Sequence, residues 1–144
     1  MAKYFTLKEL VASNIAAARK IDNTPGFTEV AHLQELVDTL LDPLRDAWGS
    51  GIIVTSGYRC PLVNSIAGGS PTSPHPTGYA ADLYPANGKF DQFAAFVKDW
   101  IKKSGKRWDQ LIEESNSRGD HWIHIGLKNR AGQQRCQILK LKQG

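Results

Sequence analysis

Two polar side chains stand where this chain otherwise asks for apolar ones. Asp82 lies inside Tyr79-Ala80-Ala81-Asp82-Leu83-Tyr84, and His124 lies inside Trp122-Ile123-His124-Ile125-Gly126. Both stretches read as buried strands. An unpaired carboxylate in such a place costs several kcal/mol, so the fold must bring it a partner or a cation. A third residue belongs with them. His75 sits in Ser73-Pro74-His75-Pro76-Thr77-Gly78, seven positions before Asp82, at the end of a long polar loop.

The rest of the chain gives these residues a scaffold. Thr6-Leu7-Lys8-Glu9 has the form of a capping box, with Phe5 and Leu10 placed as a hydrophobic staple, so a short helix is expected over 7–13. A longer helix starts near Thr28. Val30, Leu33, Val37, Leu40, Leu41, Leu44 and Trp48 step by three and four along it, and Pro43 must kink or interrupt it. Ile52 to Thr55 is a β-branched run and reads as a strand. Residues 56–78 are rich in Gly, Ser, Pro and Thr, with room for one short helix at 61–66; so long a loop in a compact domain is functional or disordered. A second helical stripe runs from Phe90 to Ile101 and ends at Gly105. Residues 111–112, 122–127 and 137–141 are further strands. The fold class is therefore α+β: a small, mostly antiparallel sheet with helices packed on one side. At 144 residues, with no linker and no repeat, residues 1–144 form a single domain.

Charge is uneven. Residues 1–100 hold 8 basic and 10 acidic residues, whereas 101–144 hold 10 basic and 4 acidic. A basic C-terminal third suits an anionic partner or a solvated face. It lacks the interleaved aromatic residues of single-strand binders, so nucleic acid is not the expected partner, although a basic domain using 102–142 is the third reading to weigh. Cys60 and Cys136 are too far apart in sequence for a CxxC motif and read as reduced thiols. No run reaches the roughly 18 apolar residues that cross a bilayer, so no membrane partner is expected. His32 falls off the stripe of its helix and reads as a surface residue.

Two imidazoles and one carboxylate are a common three-ligand set for catalytic Zn²⁺, with the fourth position left to water, whose pKa the ion lowers toward about 7. Gly78 and Ala80 let the loop turn into the strand close to such an ion.

Ser73-x-His75-x-x-Gly78-x-Ala80-x-Asp82 resembles the S-x-H-x-x-G-x-A-x-D signature of the zinc D-alanyl-D-alanine carboxypeptidase family. That family includes D,D-dipeptidases and phage endolysin peptidases and shares its fold with Hedgehog signalling domains. Thr55-Ser56-Gly57-Tyr58-Arg59, Asn64 with Gly68-Gly69, and Trp122-x-His124 extend the likeness over about residues 28–127. The resemblance implies His75, Asp82 and His124 as zinc ligands. It implies hydrolysis of peptidoglycan stem peptides, by a carboxypeptidase or an endolysin-type endopeptidase with the Zn-bound water as nucleophile. It gives Arg59 the task of holding substrate or stabilising the oxyanion. Many relatives carry an acid three residues before the last zinc histidine; here that position is His121. The general base is thus Glu114, Asp120 or His121. Glu113 and Glu114 point to opposite faces of a strand, so at most one meets the cleft. Gly68 to Ser73 are expected to wall that cleft, with Tyr58, Tyr79 and Trp122 as candidate lining.

The departure at His121 keeps open an alternative, a non-catalytic zinc-containing module that binds cell wall. A peptidoglycan peptide is the expected partner, and a monomer the expected state. The N-terminus lacks the apolar run of a secretory signal. Synthesis in the cytoplasm, with action at the cell wall or periplasm after release, is the expectation, as for a phage or prophage protein.

Overall fold

A computed structural model describes residues 3–143. Two short helices open the chain, α1 (Leu7–Val11) and α2 (Asn14–Arg19). The Thr6 hydroxyl caps α1 by accepting from the Glu9 N–H at 3.1 Å, and Phe5 and Leu10 are buried as the staple requires. The break at Ala12 and the second helix differ from a single helix over 7–13. Ser13 starts α2 anew by accepting from the Ala16 N–H.

The long helix is three pieces in one rod: α3 (Phe27–Leu36), a π-helical turn (Val37–Leu41) and α4 (Asp42–Trp48). Pro43 is the cause. It has no N–H to give, and the Asp42 N–H reaches back five residues to the Val37 carbonyl, so the helix widens locally instead of breaking. Leu33, Leu36, Leu40, Leu41 and Leu44 stay on one fully buried side. Gly49, at φ +75°, ends the rod.

Five strands follow: β1 (Ile52–Ser56), β2 (Ala80–Pro85), β3 (Gln110–Asn116), β4 (His121–Gly126) and β5 (Gln137–Gln143). They form one sheet in the order β1-β2-β4-β3-β5. The first three pairings are antiparallel, and β5 joins β3 in parallel. Between β1 and β2 lie α5 (Pro61–Ile66) and a 3₁₀ turn (His75–Thr77); α6 (Phe90–Lys103) links β2 to β3.

Alternation along the strands separates two faces. Ala81, Leu83, Leu111, Ile123 and Ile125 join Phe93, Val97 and Ile101 of α6 and the leucines of α3 and α4 in one core. Glu113 is on this face too, paired with Lys98 of α6. Asp82, His124, Ile112, Glu114 and Trp122 point the other way and line a cavity. The architecture is α+β, as the periodicity predicts. No helix among the described residues is long and apolar enough to cross a membrane.

Candidate metal centre

Asp82 and His124 are direct partners across β2 and β4, which brings their side chains together on the open face. His75 arrives from the loop. The Ser73 hydroxyl accepts the His75 N–H at 3.2 Å and so starts the 3₁₀ turn. Gly78 ends it at φ +87°, where a Cβ would lie 2.5 Å from the Glu29 carbonyl oxygen of α3. Only glycine suits both the left-handed conformation and the contact. Ala80 faces Gly126 across the strands, and Pro74 Cγ lies 3.9 Å from where a Cβ on Gly126 would be.

The bulge at the end of β1 has a local purpose. The ladder slips between Val54 and Ser56, so the chain leaves the sheet beside Asp82. The Gly57 carbonyl then accepts from His75 Nδ1 at 2.7 Å. That bond fixes the proton on Nδ1 and leaves the Nε2 lone pair free to bind a metal.

Asp82 Oδ1 is 3.3 Å from His75 Nε2 and 3.1 Å from His124 Nδ1. Ligand atoms about 2.0–2.1 Å from a tetrahedral zinc ion lie roughly 3.3 Å from one another. All three donor atoms fall within 4.8 Å of each other. The donor set and its spacing fit Zn²⁺. Burial opposes ionisation of Asp82, but the two imidazoles outweigh it and hold the carboxyl well below its ordinary range. Burial pushes the His75 imidazole down, keeping it neutral as a ligand must be.

The cavity beside the cluster measures about 480 Å³. Arg59 and Glu114 both line it. Burial lowers the Arg59 pKa while Asp82 and Glu114 oppose the shift, and its Nε is buried without a protein partner. Burial, then the charge of Asp82, raise the Glu114 carboxyl above its usual range. Residues 68–70, Thr72 and Ser73 wall one side, as expected of that loop, and Trp122 lines it as well. Asn64 shapes this wall by donating to the Ser70 carbonyl at 3.1 Å, and Gly69 leaves room for the Asn64 side chain.

Other sequence candidates lie elsewhere. Asp120 is in the exposed β3–β4 turn, accepting from Asn116 Nδ2 at 3.0 Å, and the structure does not bring it to the cluster. His121 packs on the Phe90 ring, on the opposite face of the sheet. Tyr58 is in the core. Tyr79 stacks on His32 at 4.0 Å between ring centres. Both cysteines are free thiols, Cys60 half-buried and Cys136 exposed.

Two supporting residues escaped the sequence reading. His32 is half-buried rather than on the surface: its Nδ1 lies 2.7 Å from the Thr77 carbonyl oxygen, tying α3 to the His75 turn. Asn23 accepts from the Cys60 N–H at 2.8 Å and donates to the Tyr58 carbonyl, clamping the backbone on both sides of Arg59.

An open sheet with a His–Asp–His cluster on its free face, beside a cavity, is a site that could hold a metal ion next to a bound substrate. The family described as Peptidase M15 matches residues 3–126, and the chain belongs to it. That is the zinc D-alanyl-D-alanine carboxypeptidase family, whose members are zinc-dependent peptidases. No curated protein matches the chain.

Proposed function

We propose that this protein hydrolyses peptide bonds in bacterial peptidoglycan stem peptides, as a carboxypeptidase or an endolysin-type endopeptidase, with zinc held by His75, Asp82 and His124. One observation carries the reading: the three donors meet at zinc-like spacing on the floor of a cavity that also holds Glu114 and Arg59. When bound there, Zn²⁺ supplies a Lewis acid that makes water a nucleophile near neutral pH.

The chain's own groups supply the rest. Glu114 takes the proton of the attacking water on its carboxylate and returns it to the leaving amine. Its raised pKa suits a group that must do both. Arg59 directs a fixed positive charge at the developing oxyanion or at a substrate carboxylate. The Gly57 carbonyl keeps the His75 ring in register. The partner is the peptide itself, and the place of action is the cell wall.

His121 stands three residues before His124, where many relatives have an acid, and it faces away from the cavity. That observation favours the second reading, a zinc-containing module that binds wall without cutting it. Mass spectrometry of defined muropeptides, incubated with and without chelator, separates the two. The first reading expects chelator-sensitive loss of one stem-peptide bond; intact muropeptides with zinc-replete protein leave the second.

A further inference from the structure

The family match ends at residue 126, before β5 begins. Yet β5 contributes to the same cavity as the metal cluster. Leu139 and Leu141 both line it. Their register explains why. Asp82, His124, Ile112 and Leu139 are successive partners across β2, β4, β3 and β5; Trp122, Glu114 and Leu141 form the next row. Both leucines thus share the face of the cluster.

A plain edge strand would not be built this way. Ile138, on the other face, packs against the core, and Lys140 reaches Glu113 at 3.6 Å. That face already satisfies the strand. Leu139 and Leu141 are 37% and 49% exposed on the cavity side. Exposed leucines on an edge strand invite aggregation unless something covers them in use. The strand is also held firmly. Arg135 makes paired bonds of 2.7 and 2.8 Å to buried Asp109, and the Gln137 N–H donates to the Asp109 carbonyl at 2.9 Å. Arg135 is committed to Asp109 and Arg118 lies 3.8 Å from Asp120, so the leucines form an apolar strip of the cavity beside Glu114, the carboxylate that lies next to Leu141 across the strands.

We infer that Leu139 and Leu141 form a subsite for an aliphatic side chain of the peptide substrate, on the edge-strand side of the metal cluster. The inference rests on the peptidase reading above and extends it to substrate length. Leu139 is two strands away from His124, about 10 Å at the usual strand spacing, and an extended peptide advances about 3.4 Å per residue. For Leu139 the contacted residue is therefore about three positions from the bond that is cut, while Leu141, one strand from Glu114, lies nearer. Such an enzyme selects peptides that reach this far, with an alanine or larger aliphatic residue there, over a bare dipeptide.

Two measurements test this. In the first, zinc-loaded enzyme is given a pair of stem-like peptides that differ only in alanine or glycine at the third position from the cleaved bond. A further pair carries leucine or aspartate there. The aliphatic member should be preferred in kcat/KM, and Leu139→Ser/Leu141→Ser should shrink the preference about tenfold for the leucine–aspartate pair. An unchanged preference in the variant overturns the inference. The second needs no substitution. Methyl resonances of Leu139 and Leu141 in the zinc-loaded wild type are followed while a phosphinate analogue of the leucine peptide is added. Movement of both supports the subsite. Movement of the Trp122 indole alone, or no movement, overturns it. If the wild type cleaves no peptide, the peptidase reading fails, and the methyl measurement still decides whether β5 touches a peptide.

Discussion

At the scale of single residues, the proposed function divides labour between groups that hold metal and one that moves a proton. His75 reaches the cluster only through its loop, yet it supplies one of three donors. His75→Ala should take zinc from one equivalent to near zero by elemental analysis after dialysis, with hydrolysis lost as well; an equivalent retained would contradict the ligand set. Glu114 contributes no ligand. Glu114→Gln keeps its shape but cannot accept a proton, so zinc should stay bound while turnover falls about 10²–10⁴-fold. The wild type should also lose kcat/KM as pH falls. The base works ionised, so an acid limb should report protonation of Glu114. A pH–rate profile that keeps the limb in Glu114→Gln would move the role to another group. The sequence made Asp82 and His124 conspicuous because each breaks an apolar run. It left Glu114, Asp120 and His121 as candidates in that order, and the register of the β3–β4 hairpin decides which of them faces inward.

At the scale of elements, the loop between β1 and β2 turns a sheet face into a site. Its polar composition and length were legible, as were both helical stripes and the strands. Three features were not. Asn14–Arg19 buries only Ala16, so it leaves no apolar stripe to read. The π turn resolves the proline by widening the helix, an outcome that periodicity does not separate from a kink. The parallel pairing of β5 comes with a bidentate pair between buried Asp109 and exposed Arg135, a contact between residues 26 apart that no local pattern reveals. Gly78 shows how tightly the loop is fixed. Gly78→Ala meets two penalties: a left-handed conformation and a Cβ 2.5 Å from the Glu29 carbonyl oxygen. Gly119 shares the φ of +87° but has nothing within 4 Å of its Cβ position, so Gly119→Ala measures the conformational part alone. Gly119→Ala should cost about 1 kcal/mol in urea unfolding, and Gly78→Ala about 2–4 kcal/mol together with weaker zinc retention. Equal losses would mean that α3 does not press on the loop.

At the scale of the whole molecule, one face of the sheet stabilises the fold and the other carries a constellation that is costly without its ion. Both follow from a single alternation along β2 and β4. Folding must bury His75, Asp82 and His124 whether or not metal is present, so zinc binding to the native state adds directly to stability. At a free zinc concentration 100 times the dissociation constant the gain is about 2.7 kcal/mol. For a domain near this size that is about 5–10 °C in Tm. Chelation should lower Tm by that order. The metal-free protein should then respond to acid in a defined direction. Burial holds the His75 pKa below its ordinary value. Below about pH 6.5 the unfolded chain gains a proton that folded His75 refuses, so the unfolded state binds more protons and stability falls as pH drops. Asp82 acts in the same sense lower down. Its depressed pKa gives stability that is complete above the ordinary aspartate range and is lost as pH falls further. Calorimetric scans at pH 8, 7, 6 and 5, each with excess zinc and with chelator, should show the chelated Tm falling steadily on acidification. The zinc-dependent gain should also shrink as protons compete for the imidazoles. A Tm indifferent to chelator at pH 8 would mean that the buried triad satisfies itself by hydrogen bonds alone, and the metal centre would have to be abandoned.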